Sequence, residues 1–166
     1  MTERFLGVLG GMGPLASAQF MARLTLLTPA ERDQDHIPAL LWSDPRVPDR
    51  TAARLGGGED PLPALLRGLR GLEAAGCGAI AIPCNTAHGW FDALQAATGL
   101  PILHIVDAAA AELARLGVPG ERSACWAPPA PWRWASTRSG WAPAAMPAWC
   151  RSPPRWTAWS RPPSRW

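Results

Sequence analysis

The sequence predicts an α/β fold on a parallel sheet, and three observations carry that expectation. Phe5 to Ala16 reads as a short apolar strand, a glycine turn and a helix entered through Pro14. Ala79 to Ala97 repeats the pattern as a buried strand, a tight turn and an amphipathic helix. Between them, Leu62, Leu65, Leu66, Leu69 and Leu72 recur at helical spacing within Pro61 to Ala75, which gives that helix one buried side. Residues 1–118 are therefore expected to form one Rossmann-like parallel-sheet lobe, and residues 119–166 an irregular tail.

Each element has a local reason. Proline suits a first helical turn because no N–H is needed there. The glycines of Gly10-Gly11-Met12-Gly13 let the backbone approach a ligand closely, and the helix start offers N–H groups to an anion. Asp33, Gln34 and Asp35 read as an exposed loop before a second strand at Ile37 to Asp44. A proline-rich stretch from Pro45 to Ala52 follows, then an exposed turn at Gly56 to Asp60. Pro101 to Val106 reads as a further strand that carries His104.

The run Pro83-Cys84-Asn85-Thr86-Ala87-His88 carries the chemistry. Cys84 falls where the apolar strand ends and the next helix is expected to begin. N–H groups and dipole at a helix start favour thiolate over thiol, lowering a cysteine pKa from its free value of about 8.5. A thiolate there is a natural base or nucleophile; the competing reading is a small buried hydrophobe. His88, one helical turn on, is placed either to tune Cys84 or to serve as a satisfied structural histidine. His104 reads as core or cleft-lining.

Composition narrows the class. A chain of 166 residues suits one domain, or a domain plus a fragment. No signal-like or membrane-spanning apolar segment is present. Four cysteines without paired spacing suggest neither a disulfide framework nor a metal site, so a cytoplasmic setting is expected. Up to Glu121 there are nine arginines and thirteen acids; beyond it there are seven arginines and no acid.

That split marks the tail. From Pro119 to Trp166 there is no Leu, Ile or Val, while eight of the ten tryptophans fall there, with nine prolines between Pro128 and Pro163. Such a segment can build no periodic apolar face. A basic, tryptophan-bearing tail could serve nucleic acid or an anionic membrane, but a shifted reading frame explains it better, and neither partner is expected. Tryptophan has a single codon, so in the shifted frame every tail Trp becomes Leu, Val or Met, and each Trp-Ala pair yields glycine next. Ser123 to Thr137 can then read VGLLGTAGTLALGIY, an apolar strand, a glycine turn and a helix start. Its GLLGTAGTLA agrees with Gly7 to Ala16 at six of ten positions, the internal repeat expected of a two-lobed, pseudo-symmetric fold.

Gly11, Gly13 and Ala16 also fit G-x-G-x-x-A, the dinucleotide fingerprint. That reading needs an acid at the end of the second strand to hold the ribose. Asp33 and Asp35 precede the strand, and Asp44 opens a proline-rich loop better explained otherwise, so NAD is not expected.

GGMGPLAS, DQDHIP with SDP and VPDRTA, GGGEDPLP and PCNTAH together resemble the aspartate/glutamate racemase family, in its aspartate branch, over roughly residues 4–118. The resemblance implies two similar α/β lobes with the amino-acid substrate in the cleft between them, and it allows a homodimer in intact members. It implies racemisation by two cysteines, one thiolate and one thiol, with no cofactor. Cys84 matches the first of the pair. Asn85 and Thr86 match residues that hold the substrate α-carboxylate, and the Met12–Gly13 turn faces the same space. Arg50 matches the arginine that pairs with the side-chain carboxylate, a bidentate task suited to guanidinium. Asn85 as a helix cap and Arg50 as a solvated loop charge are the competing readings. Cys125 and Cys150 lack the neighbours of the second cysteine, and a second-lobe lysine has no counterpart because the chain contains no lysine. A non-catalytic binder of acidic amino acids and a nucleotide-binding or basic-tail module are the alternatives from other classes.

Overall fold

The computed structural model describes residues 4–117. The tail at 119–166, its proposed frame change, and Cys125 and Cys150 lie outside the described residues. The chain divides into units Met1–Glu112 and Leu113–Trp166, and the architecture below is that of the first.

Four parallel strands form one sheet in the order β2-β1-β3-β4. They are β1 (Phe5–Gly10), β2 (Ala39–Ser43), β3 (Cys77–Ala81) and β4 (Ile102–Leu103). The helices are α1 (Pro14–Leu27), α2 (Arg50–Arg54), α3 (Leu62–Ala74), α4 (Phe91–Ala96) and α5 (Ile105–Arg115), with 3-10 turns at Asp33–Asp35 and Thr86–Trp90. An α/β fold with a parallel sheet is what the strand–turn–helix pattern predicted.

The two faces of the sheet are told apart by packing. Leu9 pairs with Trp42 in register, and both lie against α3, where a Cβ on Gly68 would meet Leu9 Cδ1 and Trp42. A Cβ on Gly71 would run into the Trp42 ring. Gly10 and Leu41 instead lie beside Ser17 of α1, so α1 covers the opposite face. That is the expected result of right-handed crossovers running first one way and then the other across the sheet.

The core sits under α3. Leu65, Leu69 and Leu72 are fully buried with Ala64 and Gly68, and Leu62 and Leu66 pack at the margin. Helix α1 is different: Ser17 is its only buried residue, and Leu15, Leu26 and Leu27 are exposed. No residue of α5 is buried, and no helix among the described residues is long and apolar enough to cross a membrane.

Two expected elements differ. The helix that should follow Cys84 is a 3-10 turn, and the six-residue α4 begins only at Phe91. His88 N–H bonds to Asn85 O, three residues back, and Gly89 weakens helical continuation. His104 is not in a strand; it lies between β4 and α5. Its Nδ1 accepts the Val106 N–H at 3.2 Å and its carbonyl accepts the Ala108 N–H, so it ends the strand by capping the helix.

Candidate functional site

In open parallel sheets ligands bind beyond the carboxyl ends of the strands, where the strand order reverses. Here β1 connects to β2 on one side and lies against β3 on the other, so the crevice lies between the segments after β1 and β3. Gly11-Met12-Gly13 follows β1, and Ile82 to Thr86 follows β3. Met12, Gly13, Cys84, Asn85 and Thr86 are therefore gathered at the switch point.

The β1 turn is tightly built. Gly11 has φ +89°, in the left-handed region, and a Cβ there would overlap the Asp44 backbone. Its N–H donates to Ser17 Oγ at 2.9 Å, and the Ser17 hydroxyl donates to Gly13 O at 3.1 Å. Sequence reasoning missed Ser17; a small hydroxyl four residues after the last glycine was the available signal. Met12 is buried, while Gly13 is exposed with open space where a Cβ would point.

Arg50, the first residue of α2, is half-buried rather than solvated. Its Nη1 donates to Val47 O and Pro48 O, and its Nη2 donates to Met12 O at 3.2 Å, joining segments 38 residues apart. Nε is buried without a partner, and no carboxylate among the described residues pairs with the group. A guanidinium offers five N–H donors. Three are taken by neutral carbonyls, the buried Nε has no hydrogen-bond partner, and the charge is felt by the neighbouring Asp49 carboxylate. Asp49 caps the short helix by accepting the Ala52 N–H at 2.7 Å, which holds its carboxyl below the usual range.

Cys84 is 9% exposed and belongs to the buried cluster with Met12, Val47 and Ala87. The 3-10 turn after it is too short to supply an aligned dipole, so the helix-start argument for a thiolate does not apply. Cys77, the other free cysteine described, is 4% exposed in β3, where burial pushes its thiol pKa up. Asn85 occupies the cap position but has helical dihedrals and makes no side-chain cap bond, so capping does not account for it. Asn85 and Thr86 are half-buried.

His88 is 2% exposed and does not hydrogen-bond the thiol. Its Nδ1 lies 2.9 Å from Cys84 O, and its Nε2 lies 3.1 Å from the Ile105 N–H. A carbonyl can only accept and an N–H can only donate, so the proton is on Nδ1 and the ring is neutral. Burial, first, and His104 beside it depress its pKa, against the opposing effect of the Cys84 and Leu103 carbonyls.

A clasp that the sequence did not announce joins α2 to the 3-10 turn. Arg54 Nη1 donates to Gly89 O and its guanidinium lies over the Trp90 ring, while Trp90 Nε1 donates to Asp60 Oδ1. Asp33, Gln34 and Asp35 are exposed, as expected, and Arg32 pairs with Asp35.

The dinucleotide reading fails on two contacts. Asp44, at the end of β2, is bonded by Arg46 through N, Nε and Nη2, so no free carboxylate awaits a ribose. Ala16 is exposed, whereas the fingerprint needs that position packed against the strand. No group of three or more His, Cys, Asp or Glu among the described residues is arranged to hold a metal ion. A shallow, largely apolar groove of about 340 Å³ along α1, lined by Phe20, Arg23, Leu24, Leu27, Thr28 and Ile37, shares no residue with the turns after β1 and β3.

These features define an α/β protein whose sheet switch point gathers a cysteine and, beside it, an arginine. The chain belongs to the Asp/Glu/hydantoin racemase family, whose model matches residues 9–124. It is similar to the broad specificity amino-acid racemase RacX of Bacillus subtilis (strain 168), with 32% identity over 108 residues, 61% of this chain and 46% of that one. Among solved structures it resembles the Picrophilus torridus aspartate racemase, with 38% identity and a TM-score of 0.62, covering 69% of this chain and 48% of that one. An aspartate racemase homologue from Pyrococcus horikoshii OT3 shares the fold at 22% identity and a TM-score of 0.58, covering 69% and 50%. The chain spans about half the length of these relatives.

Proposed function

We propose that residues 4–118 are the first lobe of a cofactor-independent amino-acid racemase, with aspartate as substrate. The observation that carries this reading is the Arg50 guanidinium, held to Met12 O with a buried, unpartnered Nε, beside the switch point that also receives Cys84. On this reading Arg50 binds the side-chain carboxylate, Asn85 and Thr86 bind the α-carboxylate, and Cys84 exchanges the Cα proton on one face. Inversion needs a second acid/base group on the other face, which the family resemblance assigns to a cysteine of a second lobe.

Residues 119–166 are read as the product of a shifted frame near Glu121–Ser123. The family match ending at residue 124 supports this. A non-catalytic binder of acidic amino acids is the second reading, favoured by Cys84 standing at the switch point while Cys77, the other described cysteine, is buried at the start of β3.

The test is direct. The purified 166-residue chain should bind aspartate, which should protect Cys84 from iodoacetamide, and should not convert L- to D-aspartate. A frame-corrected gene should restore conversion, and Cys84→Ala should then abolish it. Racemisation by the uncorrected chain would overturn the frame reading, and failure of aspartate to protect Cys84 would overturn the site. Independent nucleotide reads across codons 118–126 check the frame itself.

A further inference from the structure

We propose that His88 is the positioning residue of the Cys84 loop: its imidazole takes over the hydrogen bond that a helix would have given the Cys84 carbonyl and ties that carbonyl to the first turn of α5. The proposal rests on the reading of Cys84 as the proton-transfer group, and it deepens that reading by naming what holds the group in place.

In an α-helix the Cys84 carbonyl would accept the backbone N–H of residue 88. Here that N–H goes to Asn85 O at 3.1 Å, so the carbonyl would be left without a backbone partner in a buried setting. The His88 side chain supplies the missing donor through Nδ1. Its other nitrogen accepts from Ile105, one of the N–H groups that a helix start cannot satisfy internally. The next such group, Val106 N–H, goes to His104 Nδ1. Two imidazoles thus serve α5, and only His88 does so across 17 residues of sequence.

The ring has little freedom. Phe91 lies parallel to it at 6.2 Å, and His104 meets it edge-on at 4.8 Å. Cys84 N–H bonds to Ile82 O at 2.8 Å, so the His88 bond fixes the other side of the same residue. Removing the imidazole frees the carbonyl, and with it the direction in which the thiol is presented. Sequence alone could not separate this role from that of a thiol-tuning histidine, because both ask for the same four-residue spacing.

Iodoacetamide labelling of the full 166-residue chain near neutral pH, resolved at each cysteine by peptide mass spectrometry, tests the proposal. Buried Cys77 reports general opening. His88→Ala should raise Cys84 labelling by about threefold to tenfold, the order expected for losing one net hydrogen bond, with Cys77 unchanged. In His88→Asn the amide N–H can replace Nδ1–H and should return Cys84 near the parent rate. His88→Gln, whose amide reaches the Nε2 position, should not. Unchanged Cys84 labelling in His88→Ala overturns the proposal. If His88→Ala also exposes Cys77, the other two variants decide: Asn near the parent rate with Gln raised supports the role, and equal rates overturn it. Aspartate protection is read separately on the parent chain. Its absence would sink the functional reading and leave the labelling pattern to judge His88 on its own.

Discussion

Gly11 and Gly13 share one turn and one motif, yet the structure assigns them opposite tolerances. Gly11 sits at φ +89°, a conformation that costs an L-residue roughly 1–2 kcal/mol. A Cβ there overlaps Asp44 N, C and O, atoms that no rotamer change can move aside, and such overpacking costs about 1–3 kcal/mol. Alanine recovers only about 0.4–1 kcal/mol by restricting the unfolded chain. Gly11→Ala should therefore destabilise by roughly 2–4 kcal/mol, a large part of the about 5–15 kcal/mol that holds an ordinary domain together. Gly13 has φ −97° and ψ 163°, open to any residue, with nothing within 4 Å of a Cβ. Gly13→Ala should be neutral or stabilising by up to about 1 kcal/mol. Urea unfolding followed by far-ultraviolet circular dichroism measures both. With a slope of about 1–3 kcal/mol per M, the Gly11→Ala midpoint should fall by about 1 M or more while that of Gly13→Ala holds. Equal effects at the two positions would refute the assignment of strain to Gly11.

Two further outcomes are expected. Arg50→Lys keeps the charge but loses the planar fork, so aspartate affinity by calorimetry should fall about tenfold to a hundredfold, the loss of one charge-assisted hydrogen bond; affinity within twofold of the parent would remove Arg50 from the site. His88 has a folded pKa below its unfolded value near 6.5, so the unfolded chain binds the proton more readily. Its stabilising contribution is then full above pH 6.5 and is lost as pH falls toward the folded value. His88→Asn, which does not titrate, should flatten the pH dependence of the urea midpoint between pH 7 and 5, and an unchanged slope would contradict the assignment.

The parts of the fold that were legible are those in which local and global preferences agree. A leucine stripe within Pro61 to Ala75 became α3 at Leu62–Ala74 with the expected buried face, because α3 packs over the sheet centre. The glycine turn and Pro14 placed the start of α1 correctly, but that helix buries only Ser17, which periodicity does not foretell. The strand before Cys84 was legible; the helix after it was not. Its form is set by a side chain competing for a backbone carbonyl, and the other end of that side chain is fixed by residue 105. Arg50 was found by resemblance, while its anchor on Met12 O is a contact across 38 residues that no local pattern encodes.

These long-range bonds make one device of segments that are separate in sequence. Arg50 is tied to the turn after β1, its helix α2 is clasped through Arg54 to Gly89, and His88 in that same turn holds Cys84 and the start of α5. Each of the four strand ends therefore contributes a segment to this edge, and three of those segments are linked by backbone carbonyls accepting from charged or aromatic side chains. Such bonds fix main-chain position and use neither Arg50 Nε, nor the Asn85 side chain, nor the Cys84 thiol, the groups that the racemase reading assigns to substrate. All of these groups belong to one lobe, in segments that follow the carboxyl ends of one sheet. On the racemase reading, that geometry serves one face of Cα, and inversion waits on a donor placed opposite.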